Sequence, residues 1–97
     1  MPAPTAPQMQ VLPVGRSSEP SSVASAAVRF HDEGKTIELH AVGVSAFYQA
    51  AKAMVRMNTF LAEKGLRVWT SPVFRTENVH GQRKTVLVLP LRFLSGV

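Results

Sequence analysis

Between Gly43 and Gly65 runs the longest periodic segment of the chain, bounded on both sides by strand-patterned sequence. Phe47, Ala50, Ala51, Met54, Leu61 and one of Met57 or Asn58 form an inner stripe at helical spacing. Gln49, Lys52, Arg56 and Glu63 line the outer face. The spacing predicts a helix opening at Gly43-Val44-Ser45 and running to about Lys64, with Gly65 behind it as the stop. A helix with a single apolar stripe must be covered by a second layer, and the flanking segments supply one. In Lys35–Val42, Ile37, Leu39 and Ala41 alternate with Thr36, Glu38 and His40, which is the pattern of a half-buried strand. Two further strands, Leu66–Thr76 and Lys84–Phe93, are joined by residues 77–82, where Gly81 suits a turn position with positive φ. Pro72 and Pro90 each lack a ladder donor, so each is expected at a bulge or facing outward from an edge.

Upstream, Met9–Val14 reads as a short extended segment. A first helix begins near Ser21 or Ser22, either of which can cap it, and carries Val23, Ala26, Ala27 and Phe30 at helical spacing up to Gly34. The order is therefore β-α-β-α-β-β. A strand-helix-strand start demands parallel neighbours, and the final hairpin adds an antiparallel pair. The expected fold is a two-layer α/β sandwich with both helices on one face of a four-stranded mixed sheet. At 97 residues this is one domain, residues 9–97, behind a flexible Pro/Ala-rich leader, residues 1–8.

Several function classes lose support at once. No stretch approaches the roughly 20 apolar residues of a membrane-spanning helix, and the N-terminus lacks the basic-then-apolar pattern of a secretory signal. Cysteine is absent, so there is no disulfide framework, thiolate metal site or thiol nucleophile. The expected compartment is the cytoplasm, nucleoid association included. His31, His40 and His80 lie in three different elements without paired metal spacing. Glu38 and His40 share a strand face and read as a solvent-facing pair, and no catalytic constellation emerges. The chain is expected not to be an enzyme and to need no cofactor.

The formal net charge is +5. Residues 1–63 balance five cations against five acids, whereas residues 64–97 set Lys64, Arg67, Arg75, Arg83, Lys84 and Arg92 against Glu77 alone. Such asymmetry points to a polyanionic partner, or else to ordinary solubilising charge.

Three basic features stand out, each with a plainer alternative. Gly15-Arg16-Ser17-Ser18 and Gly43-Val44-Ser45 are strand-to-helix turns whose free N–H groups favour an anion, with Arg16 adding a mobile charge; equally, Gly permits the turn and Ser caps the helix. Lys52 and Arg56 lie one turn apart on the long helix without an acidic partner at i±4, or simply form a solvated face. Arg75, Arg83 and Lys84 place cations on a ribbon able to follow a groove, or protect a sheet edge. Trp69 and Phe74 are able to stack bases, but in so small a domain they are expected in the core.

The segment Ala41-Val42-Gly43-Val44-Ser45-Ala46-Phe47-Tyr48-Gln49-Ala50-Ala51-Lys52-Ala53 resembles the central motif of the stage V sporulation protein S family. Arg16-Ser17 and Ser22-Val23-Ala24 are similar to its basic-Ser loop and helix start. Pro72-Val73-Phe74 and Gly81-Gln82-Arg83-Lys84-Thr85 are similar to its Pro-x-Phe strand and Gly-rich hairpin. The resemblance spans about residues 10–94 and implies membership of the Alba-like group of DNA- and RNA-binding proteins, which share this element order and work as dimers. It implies Arg16 as loop cation, Gly43 as second turn, Lys52 as helix cation and Arg83-Lys84 as arm. The chain departs from the family in an extra loop residue around Glu19-Pro20, in the negative charge of Glu19 and in the leader.

The resulting expectation is a regulatory protein, tied to sporulation or cell development, that binds DNA or RNA through phosphate contacts with little sequence readout. The expected binding residues are Arg16, Ser17, Gly43, Lys52, Arg56, Arg75, Arg83 and Lys84, carried on a homodimer or higher homo-oligomer away from membranes. The competing expectation is an oligomerising scaffold that acts through a protein partner or a small anionic nucleotide.

Overall fold

The computed structural model describes residues 8–96. In chain order these form β1 (Met9–Val14), α1 (Pro20–Asp32), β2 (Thr36–Ala41), α2 (Val44–Leu61), a 3-10 turn (Ala62–Lys64), β3 (Leu66–Thr70), β4 (Val73–Val79) and β5 (Gln82–Ser95). The leader expected over residues 1–8 lies outside the described residues except for Gln8, whose carbonyl accepts the Thr36 N–H at 2.9 Å.

The sheet has five strands in place of the expected four, ordered β1-β2-β5-β3 with β4 also on β5. β1 and β2 are parallel, and every pair made with β5 is antiparallel. The extra strand comes from a break in the expected Leu66–Thr76 segment at Ser71-Pro72. Thr70 faces Leu91 and Val73 faces Val88, so register is kept across the gap. Pro72 has no N–H to donate, and pairing lapses around it without any slip. Pro90 departs from expectation more sharply. It lies within β5, between other strands and paired with Glu38 of β2, and it faces the Ser71-Pro72 gap on its other side.

The helices cover the sheet face that carries Ile37, Leu39, Leu89 and Leu91. Buried Ala24 and Ala27 of α1, with Ala46, Ala50 and Ala53 of α2, keep that layer thin and let α1 run close along α2. The phase of α2 differs from the expected stripe. Its buried positions are Ala46, Ala50, Ala53, Met57 and Leu61, while Ala51 is exposed and Phe47 and Met54 are only half-buried. Alanines carry the closest contacts, so ranking positions by apolar bulk shifts the apparent stripe by part of a turn. The start of α1 is also earlier than expected: Glu19 is the cap and Pro20 the first helical residue, a position where a missing N–H costs nothing.

Candidate nucleic-acid interface

Because β1 and β2 run parallel with Val14 level with Ala41, both strand-to-helix turns leave the sheet at one end. β5 meets that end at Leu87, across from Ala41. Beyond it, Gln82–Val86 pair with β4 alone, so a two-stranded arm projects from the end that holds the two turns. The arm is longer and its turn tighter than expected. His80 and Gly81, at φ 52° and 81°, make the reversal by themselves, the primed geometry that matches strand twist. At its root, Phe74 packs against Phe47 of α2 with ring centroids 6.2 Å apart.

The first turn is tied to the long helix. Gly15 N–H donates to Ser18 Oγ at 2.8 Å, Ser18 N–H to Gly15 carbonyl at 3.1 Å, and Gln49 Nε2 of α2 to Arg16 carbonyl at 2.8 Å. Arg16 and Ser17 are left exposed on a braced loop. Glu19 Oε1 accepts the Ser21 N–H at 2.9 Å, so the anion seat at the start of α1 holds the chain's own carboxylate. The second turn is different. Gly43, at φ 89°, opens α2 without any side-chain cap, and Ser45 does not fill that role. Between the helices lies an open hollow of about 480 Å³ lined by Glu19, Pro20, Lys52, Val55 and Arg56. Lys52 is half-buried, not fully exposed, with its Nζ 4.4 Å from the Tyr48 ring centroid.

The family model for Stage V sporulation protein S (SpoVS) matches residues 10–93. The chain belongs to the SpoVS family. That match takes in both turns, all of α2 and the whole arm, and its name connects the family with sporulation.

Of the expected site residues, the SpoVS framework brings Arg16, Ser17 and Gly43 to one end of the sheet, with Lys52 and Arg56 on the adjoining helix face and Arg83 and Lys84 on the arm. Arg83 faces Asn78 and Lys84 faces Glu77, so the two cations emerge from opposite sides of the ribbon. Neither they nor Arg16, Lys52 and Arg56 have an acid within 4.0 Å among the described residues.

Arg75 does not join them. It lies on the helix-free face, 3.1 Å from Glu38 and 3.7 Å from Glu77. The Glu38–His40 pair, expected to face solvent, is part of the same network. His40 Nε2 sits 2.9 Å from Glu38 Oε1, and the two side chains are 17% and 12% exposed. The hydrogen bond from His40 holds the Glu38 carboxyl below its ordinary value, Arg75 acts in the same direction, and burial opposes both. The C-terminal excess of charge also disperses in space. Lys64 is bound to Asp32 at 2.8 Å and Arg67 lies at the far end of the sheet. Among the described residues no cluster of acids and histidines is able to hold a metal ion, and no helix is long and apolar enough to cross a membrane.

Trp69 and Phe74 overturn the core expectation: they are 52% and 66% exposed. The signal was present in the sequence as alternation. Val68 and Trp69 are neighbours in β3, so burying one exposes the other.

Proposed function

We propose that this SpoVS protein is a nucleic-acid-binding regulator that holds DNA or RNA by its phosphates, with little sequence readout and no catalysis. The observation that carries this is the convergence of a braced loop, an uncapped helix start and a two-stranded arm at one end of the sheet, bearing cations without acidic partners among the described residues. An anion near Gly43 would meet free N–H groups and the positive end of the α2 dipole. Arg16, Lys52 and Arg56 add charge beside it, and Arg83 and Lys84 extend the reach. The arrangement fits the Alba-like plan that the sequence resemblance implies, and the cytoplasm is the matching compartment.

A homodimer belongs to this reading. Val44, Tyr48, Ala51 and Val55 are exposed on α2 at successive spacings of four, three and four residues, which is the spacing of a seam between two helices. Val44, Tyr48 and Val55 are 81%, 64% and 66% exposed. The same stripe supports the scaffold reading, in which a protein partner covers it. The small-nucleotide reading is weaker, because Glu19 and Ser18 already occupy the first turn.

Anisotropy titrations of labelled duplex DNA and RNA at several salt concentrations test the proposal. If a dimer neutralises about six phosphates, log K falls against log salt with a slope near −5, from roughly −0.9 per phosphate. Affinity that stays flat as salt rises to physiological strength removes nucleic acid as the partner.

A further inference from the structure

The helix-free face of the sheet divides into two unlike halves. Next to the arm, Arg75 meets Glu38 and Glu77 with His40 alongside, so its charge is taken up by acids of the sheet. At the opposite end, β3 pairs with the last residues of β5, Trp69 directly across from Arg92 and Arg67 across from Leu94. Neither arginine has an acid within 4.0 Å among the described residues, and Glu38 is held by His40 and Arg75. The indole is 52% exposed, and among the described residues no cation lies over it, although Phe30 and Tyr48 are both covered in that way. The stem of Arg67 lies instead along Gly96, where a Cβ would come within 2.6 Å of its Cγ. Glycine at that position lets the arginine turn away from the ring and leaves the ring open.

An uncovered aromatic on a sheet face, with one arginine directly across the strand pair and a second two residues along its own strand, both without an acidic partner among the described residues, has the make-up of a base-stacking platform, with the cations placed for nearby phosphates. In a duplex the base faces are stacked on one another and out of reach, so the ligand that fits must offer unpaired bases. We infer that Trp69, with Arg92 and Arg67, binds a single-stranded stretch of nucleic acid by stacking one base on the indole. This rests on the proposed nucleic-acid function but uses a different surface, on the face away from the helices and towards the end opposite the arm.

Trp69 is the only tryptophan of the chain, so its emission reports the site directly. The full chain is titrated with an oligothymidylate of about 12 nucleotides, within the usual single-strand site sizes, and with an abasic oligomer of the same length. Quenching by the first and much less by the second is expected. Trp69→Ala, read by anisotropy of the labelled oligomer, should lose at least about five-fold in single-strand affinity, the lower end for removing one stacked base. Duplex affinity should be unchanged. Trp69→Phe should recover most of the loss, and Arg92→Gln should make the single-strand salt slope shallower by about 0.7. Far-UV circular dichroism checks that each variant is folded.

Equal quenching by the abasic oligomer overturns the inference, as does a Trp69→Phe variant no better than Trp69→Ala. An indole emission that changes with protein concentration alone also overturns it, since a second copy then covers the face. If the chain binds duplex but not single strands, this inference falls and the proposed function stands. If it binds neither, both fall.

Discussion

Neutralising the arm gives a measurement whose size depends on how the ribbon meets nucleic acid. Arg83 and Lys84 are adjacent in sequence but lie on opposite faces of the β4–β5 ribbon, since they face Asn78 and Glu77 respectively. A ribbon lying within a groove has phosphate walls on both sides and is able to use both cations; a ribbon lying flat on a backbone uses one. Each lost phosphate contact makes the salt slope shallower by roughly 0.9. For Arg83→Ala with Lys84→Ala the change per arm is therefore about 1.8 in a groove and about 0.9 on a flat contact. Over a fourfold range of salt, the first alters the affinity ratio by about ten-fold and the second by about three-fold. Stability should move within about 0.5 kcal/mol, because both side chains are exposed and unpaired. Anisotropy titrations on two unrelated duplexes measure slope and affinity together. Equal weakening on both sequences is expected, because phosphate contacts carry no sequence information. A double variant that matches the parent in slope and affinity refutes the arm as a nucleic-acid contact.

Other perturbations test other parts of the structure. Glu38→Gln removes the carboxylate that His40 and Arg75 hold. Its lowered folded-state value means that the stabilisation is present above the unfolded value of about 4.5 and is lost as pH falls through the lower folded one. The parent and the variant should therefore converge in denaturation midpoint only below about pH 4.5, and a difference that grows on acidification would contradict this. Ala27→Leu forces a larger side chain into a fully buried position and should destabilise by about 1–3 kcal/mol in urea unfolding; a neutral result would show that the two helices are less closely packed. Gly81→Val places a β-branched residue at φ 81° and should cost about 1–2 kcal/mol, whereas Gly81→Asn should cost less. Val55→Glu puts a charge into the exposed α2 stripe and should shift the proposed dimer to monomer in sedimentation equilibrium while leaving the thermal midpoint within a few degrees. An unchanged mass would place the oligomer contact elsewhere.

Among the described residues, periodicity together with the Gly and Ser signals located both α-helices and most of each strand. Gly34, Gly43 and Gly65 end or begin elements as read, because a positive φ at a chain reversal is a local demand that glycine meets. The parallel start and antiparallel finish followed from element order, and the central motif of α2 carried the family. What sequence could not fix depended on neighbours distant in the chain. Arg75 looked like an arm cation beside Arg83 and Lys84, yet Glu38, 37 positions earlier, neutralises it across β5. Glu19 looked like a stray charge next to a phosphate loop and is the helix cap. Trp69 looked like core, but the helices cover only one face of the sheet, and β3 turns Val68 towards them and the indole away. Spacing assigns residues to faces; which face another layer covers, and which charges meet across strands, is decided only when the whole sheet is assembled.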